Sequence, residues 1–278
     1  MEKRDRAVGV LQPVPAGPDA FRERRWTPSP DLAFFIEHYW SVRWDLRGRG
    51  PHVQDTLPHP SVHIAFEPGR PMVVYGVVTG KFSVTLEGAG SVFGIKFRPG
   101  AFHPFLRAPV STLTDRTVPL SAVFGDAGDA LGSAMLATDD DEVRIAVAER
   151  FLRERDAERD PNVELVGAVA ERIVADRSIT TVRDVVARSE LDTRTLQRLF
   201  RRYVGVSPKW VIRRYRLHEA ASRLDAGATV DFSRLAIDLG YFDQAHFIND
   251  FRAIVGLTPA EYARRASARW EPDGGGWR

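Results

Sequence analysis

Arg194, Gln197, Arg198, Arg201 and Arg202 recur at intervals of three and four residues, the spacing that lines side chains along one face of a helix. Leu196, Leu199, Phe200 and Tyr203 take the other face at i, i+3, i+4 and i+7, as a helix seated on a core requires. The polar set has a definite chemistry. Arg presents paired N–H donors that match O6 and N7 of guanine, and Gln offers a donor and an acceptor that match N6 and N7 of adenine. From Arg194 to Arg216 the chain holds eight Lys/Arg and no Asp or Glu. A charge run on an isolated amphipathic helix is ordinarily a solvated surface. Here 23 residues without an acid leave positive charge for phosphates and base edges to neutralise.

Such a helix needs a partner to hold it against a groove. VRDVVARS (182–189) supplies one, with Val182, Val185 and Val186 facing inward and a tight turn after it. The pair reads as a helix-turn-helix, whose second helix enters the major groove. The unit then repeats. Phe200, Gly205, Ser207 and Pro208 recur 51 residues later as Phe251, Gly256, Thr258 and Pro259, with Leu196 matched by Phe247, Arg201 by Arg252 and Ser189 by Gly240. A connecting helix over about 208–224 joins the copies, and the second recognition helix is expected from Asp243 to about Val255. Gly240 and Gly256 suit the tight turn and the helix stop. Residues 225–262 hold six acids against Arg234 and Arg252, so the second copy is expected to add less electrostatic affinity than the first.

Residues 163–265 resemble the DNA-binding domain of AraC/XylS-type transcriptional regulators. The resemblance is carried by Leu196, Arg198, Phe200, Gly205, Ser207 and Pro208, then by RLHEAASRL (216–224) and LAIDLGYFDQAHFINDFRAIVGLTPAEY (235–262). It implies seven helices, two helix-turn-helix units and two successive major-groove contacts about 10 bp apart on one face of double-stranded DNA. By position, base edges fall to Arg194, Gln197 and Arg198 in the first unit and to Gln244, His246 and Asn249 in the second. Asn249 stands where relatives commonly carry Arg; Asn can pair with adenine. Phosphate contacts fall to Arg201, Arg202, Lys209, Arg213 and Arg252. The family further implies RNA polymerase as a partner, a small-molecule effector, a homodimer formed through the N-terminal half, and a cytoplasmic location.

The rest of the chain is read against that module. At 278 residues two domains are expected: 1–160 for regulation, ligand sensing or association, 161–265 for DNA binding, then a flexible tail over 266–278. The charge divides accordingly, at −2 for 1–160 and +4 for 161–278. VHIAFE (62–67), MVVYGVV (72–78), FSVTLE (82–87) and SVFGIKF (91–97) read as strands in a meander of hairpins, DLAFFIEHYWSV (31–42) as helix or strand, and TDDDEVRIAVAERFLRER (138–155) as a helix opening at Thr138. The expected fold class is α+β: a β-rich, barrel-like N-terminal domain with flanking helices, and an all-α C-terminal domain. EHYWSV (37–42) and SVFGIKFRPGAFHPFL (91–106) resemble a β-rich regulatory domain in one branch of these regulators. Trp40, Trp44, Phe66, Tyr75, Phe93 and Phe97 are candidate walls of an effector pocket there, each also suited to plain core.

Several function classes fall away. The chain has no cysteine, which excludes disulfides, thiolate metal sites and alkyl-acceptor repair chemistry. His59 and His63 would share a face of an extended segment, but no carboxylate pair stands at ligand spacing, so no metal and no cofactor is expected. No nucleophile elbow, phosphate loop or dinucleotide fingerprint appears, and no apolar run is long enough for a membrane span. The chain is therefore not expected to be an enzyme; a catalytic β domain tethered to a DNA-binding module is the alternative reading. A non-specific architectural binder would need a net charge far above +2.

Overall fold

A computed structural model describes Leu11, residues 20–226 and residues 230–267. The start of the chain and the tail beyond residue 267 lie outside the described residues, and the last helix carries the chain to Ser267.

Among the described residues eight strands come first: β1 Phe21–Trp26, β2 Ile36–Asp45, β3 His52–Thr56, β4 His63–Phe66, β5 Val73–Tyr75, β6 Phe82–Leu86, β7 Ala89–Phe97 and β8 Thr117–Pro119. DLAFFIEHYWSV is thus a turn followed by a strand. The expected meander is corrected. The strands form a six-stranded antiparallel sheet ordered β1-β2-β7-β4-β5-β8 and a separate β3-β6 ribbon, with no hydrogen-bonded closure between the two sheets among the described residues. β7 sits inside the sheet because it is long and apolar enough to be flanked by both β2 and β4. HVQDT, which carries no apolar alternation, gave no sign that it would take β6 as its partner.

Period-two alternation gives the six-stranded sheet two unlike faces. Tyr39, Ile64, Phe66, Val74, Phe93, Ile95 and Phe97 are at most 1% exposed and face the helices. These include α1 His103–Leu106, α2 Ser121–Phe124, α3 Asp126–Leu136 and α4 Asp141–Glu154. Asp140, rather than Thr138, caps α4 by accepting from Glu142 N and Val143 N. Asp141 is buried and accepts from Ser41 Oγ and Arg43 Nη2 at 3.0 Å each, fastening the helix to β2. The other face carries Trp40, Trp44, Lys96, His63 and Tyr75.

Seven helices follow among the described residues: α5 Pro161–Ala175, α6 Val182–Ala187, α7 Thr193–Leu199, α8 Pro208–Asp225, α9 Phe232–Asp238, α10 Gln244–Val255 and α11 Pro259–Ser267. Asp160 caps α5 and Pro161 opens it, as its fixed φ and missing N–H favour. One hydrophobic cluster runs from Leu32 in the β-rich part through α5, α6 and α7 to Ile212. The second helix-turn-helix has its own cluster, into which the β-rich part inserts Leu57. α8 bridges them, placing Val211 and Ile212 in the first and Leu217, Ala220, Ala221 and Leu224 in the second.

On the middle of α8, His218 stacks on His59 of the β-rich part with ring centroids 4.3 Å apart. Burial, and then the nearby Arg214 charge, push the His218 imidazole from 6.5 down to about 3. The folded chain therefore holds this ring neutral while the unfolded chain protonates it below 6.5. The stability it carries is complete above that pH and is lost progressively as the pH falls toward 3. Between pH 6.5 and 5 the expected loss from this residue is about 2 kcal/mol. Urea titrations at the two pH values check this, and His218→Gln should remove about one proton from the pH slope.

Candidate nucleic-acid interface

The first helix-turn-helix is built from local signals. Thr181 and Asp184 form a reciprocal capping box at the start of α6: Asp184 N donates to Thr181 Oγ1 and Thr181 N donates to Asp184 Oδ2. Asp192 caps α7, accepting from Arg194 N at 2.8 Å and Thr195 N at 3.0 Å. Those bonds hold its carboxyl below the usual carboxylate range. Leu196, Leu199, Phe200 and Tyr203 are all buried, so the apolar stripe read from the sequence faces the core. After Leu199 the helix widens into a π turn, Phe200–Val204, closed by Gly205 N donating to Phe200 O. Gly205 has φ 97°, a conformation open to glycine at no steric cost.

The outward face brings Arg194, Gln197, Arg198 and Arg201 together. With Ser111, Gly205, Val206 and Ser207 they line an open groove of ≈ 570 Å³. Arg202 turns aside, donating from Nε to His103 Nε2 at 3.1 Å, and His103 is held toward its neutral form by burial and by that guanidinium. Lys209 is exposed on the first turn of α8.

The charge run is not left wholly free, and that expectation is corrected for three residues of α8, two of which meet carboxylates while the third is buried against carbonyls. Arg213, expected at a phosphate, donates from Nε and Nη2 to the buried Asp250 carboxylate, which also accepts from Tyr241 Oη at 2.7 Å. Arg214 is buried, its guanidinium 4.5 Å from the Trp210 ring centre and donating to the carbonyls of Thr79 and Gly80. Burial lowers its pKa to about 10. Arg216 is buried too. Its Nη2 donates to Ile173 O, Asp176 O and Ile179 O at 3.0–3.1 Å, and its Nη1 to Glu219 Oε2 at 2.7 Å. The signal was present one helical step beyond the acid-free window: Glu219 stands three residues after Arg216.

The second unit repeats the first in its details. Asp231 caps α9 and Asp243 caps α10, and Gly256 ends α10 at φ 84°. Gly240 turns between them at φ 77°, where an added Cβ would lie 2.4 Å from Thr180 Cβ; the second turn is thus seated on the residue before the first unit's capping box. His246, Asn249 and Arg252 are exposed along α10. Gln244 is half-buried and accepts from Ser233 Oγ through Oε1, so its amide is partly engaged in positioning α10 on α9. Phe242, 91% exposed immediately before the cap of α10, carries no periodic signal in the sequence, because it is a single aromatic beside a polar turn.

The six aromatic pocket candidates do not line one chamber. Phe66, Phe93 and Phe97 belong to the face packed on the helices, whereas Trp40, Trp44 and Tyr75 lie on the other face. Trp44 packs in a small separate cluster with Ala20, Leu46 and Leu86. On that face Trp40 lies over Gly94, and His38, Lys96 and His63 stand side by side on three neighbouring strands. Lys96 Nζ donates to Glu37 Oε1 at 2.8 Å, and the buried Trp40 Nε1 finds no acceptor among the described residues. No group of three His, Cys, Asp or Glu able to hold a metal ion forms among the described residues. Nor is any helix among them long and apolar enough to cross a membrane.

Comparison with known proteins matches the helix-turn-helix part of the chain and, separately, its strand-rich part. A family model described as a helix-turn-helix domain fits residues 185–265. The XylDLEGF operon transcriptional activators 1 and 3 of Pseudomonas putida are each 32% identical over 82 residues, 29% of this chain and 25% of theirs. A probable AraC family transcriptional regulator from Rhodopseudomonas palustris is 31% identical across 93% of its length and 35% of this chain, with a TM-score of 0.32. The chain belongs to the AraC family. Its AraC-type helix-turn-helix domain is the part these relatives share, and the chain spans about a quarter of the length of the curated activators. The strand-rich part ahead of that AraC-type domain matches, over residues 24–119, a domain of unknown function (DUF6597). ToxT from Vibrio cholerae aligns over 90% of this chain and 95% of its own, at 12% identity and a TM-score of 0.38.

Proposed function

We propose that this chain is a sequence-specific regulator of transcription that reads two adjacent major-groove segments of double-stranded DNA. The exposed set Arg194, Gln197, Arg198 and Arg201, standing on a capped helix with its apolar side fully buried, carries the reading. Side chains on a rigid element reach base edges with little ordering cost, and three guanidinium groups without an ion-pair partner supply the attraction to the backbone. Arg194, Gln197 and Arg198 read bases in the first segment, and His246 and Asn249 read them in the second, with Gln244 mainly positioning α10. Arg201, Lys209 and Arg252 take phosphates. Phe242 meets the sugar edge or a thymine methyl beside the second helix.

The part ahead of residue 161 is the regulatory domain in this reading. An effector is accommodated on the Trp40, Trp44 and Tyr75 face, where Lys96, His38, His63 and the unpartnered Trp40 N–H offer polar recognition. RNA polymerase and a second copy of the chain are the protein partners that the family relationship suggests.

Selection of bound sequences from random DNA tests the core of this reading. Two enriched half-sites about 10 bp apart are expected for two units on one face. Arg198→Ala should cost about 1–3 kcal/mol of discrimination at a single base position and relax the preference there. An equal loss on selected and random DNA would instead make Arg198 a phosphate contact.

A further inference from the structure

The groove beside α7 has a wall that does not belong to the helix-turn-helix. Ser111 lies in a short 3-10 turn, Val110–Thr112, of the β-rich part, and it lines the groove together with Arg194, Gln197, Arg198 and Arg201. The two parts fit closely at this point. Thr114 Oγ1 donates to Gly205 O at 2.7 Å, Val110 is fully buried, and a Cβ on Gly205 would lie 2.9 Å from Thr114 Oγ1. Ser111 is therefore held at a set position beside the recognition helix.

The same turn brings a cation with it. Arg116 donates from Nη1 to Thr112 O at 3.2 Å, which ties its exposed guanidinium to the residue after Ser111. No carboxylate oxygen lies within 4.0 Å of the guanidinium nitrogens of Arg116, Arg194, Arg198 or Arg201 among the described residues. The neighbouring Asp115 is turned away, its carboxylate accepting from Thr79 N and Thr79 Oγ1 at 2.6 Å each. Guanidinium groups without an ion-pair partner thus stand on α7 and on the 110–116 turn, and Ser111 of that turn lines the groove.

We propose that the regulatory domain itself touches DNA, the backbone phosphates beside the first major-groove segment being held by Ser111 and Arg116. Ser111 Oγ donates to a phosphate that Arg201 also faces, and Arg116 takes the next phosphate along the same strand. This rests on the DNA-binding reading above and adds a second consequence: any effector-driven shift of the 110–116 turn changes affinity directly, without moving either recognition helix.

The test uses the full chain and a duplex selected by the wild-type protein, with dissociation constants measured over a range of salt. Arg116→Ala should reduce the slope of log K against log salt by about 0.9 and weaken selected and random DNA alike, by about eightfold near 0.1 M salt. Ser111→Asp, which places a carboxylate in the groove, should weaken both duplexes by at least as much. Each variant should keep the wild-type urea midpoint, because neither side chain is buried. Wild-type slope and affinity in either variant would overturn the proposal. Failure of the wild-type chain to select any sequence would overturn the underlying reading instead, so the two failures are distinguishable.

Discussion

Arg216→Ala is expected to lower the unfolding free energy by about 3–5 kcal/mol, because it orphans two buried carbonyl oxygens, Ile173 O and Ile179 O, and leaves Asp176 O only its bond from Ile179 N. Ile173 O and Asp176 O lie at the C-terminal end of α5, and Ile179 O precedes α6; all three accept from one guanidinium nitrogen. Helix C-terminal carbonyls have no intrahelical donor, so a buried end needs an outside one. Glu219 is not stranded by the change, since Arg223 and Arg177 also reach it, at 2.6 and 3.3 Å. The cost is therefore that of unsatisfied acceptors rather than of an unpaired charge. Arg216→Met, which keeps most of the stem and none of the donors, should lose nearly as much as Arg216→Ala. Urea unfolding followed by far-UV circular dichroism reads this, and a loss below about 1 kcal/mol in both variants would mean that water replaces the guanidinium there.

Asp250→Ala should cost about 2–4 kcal/mol and should disable the second helix-turn-helix before the first. Asp250 is 6% exposed, yet it takes two bonds from Arg213 and one from Tyr241, tying α10 both to α8 and to the turn ahead of its own cap. The figure lies below that for a fully buried pair because Arg213 is half exposed and solvent screens it. Loss of the anchor frees α10 to shift on α8 while the first unit stays embedded in the larger cluster. Random-DNA selection with this variant should yield one half-site in place of two. Two intact half-sites from a destabilised variant would show that α10 is placed by Phe247 and Phe251 packing alone.

Much of this architecture was legible in the chain because it rests on local physics. The start of α10 at Asp243, the turn at Gly240, the glycine stop at Gly256, and the stripe from Leu196 to Tyr203 follow from propensity, φ restrictions and a period of 3.6. The exposure of Arg194, Gln197, Arg198 and Arg201 follows from the same period. Pairing β6 with β3 was not legible, since strand order depends on contacts far apart in sequence and HVQDT has no pattern to announce one. The pocket candidates failed for a related reason: Phe66 and Phe93 look like Trp40 and Trp44 in composition, and only register assigns them to opposite faces.

Taken alone, the order of residues determined two helical pairs, the outward arginines of the first and the glycines that turn and stop the second, because each depends on neighbours within a turn or two. Only the tertiary structure decided where charge is free and where it is spent. Arg201 and Arg216 are the same side chain in one acid-poor run, but α8 carries the second beneath the C-terminal end of α5 and leaves the first at an open groove. Electrostatic neutralisation acts through space, so Asp250, the carbonyls of 173–179 and Ser111 enter the account only after the chain has folded them into reach.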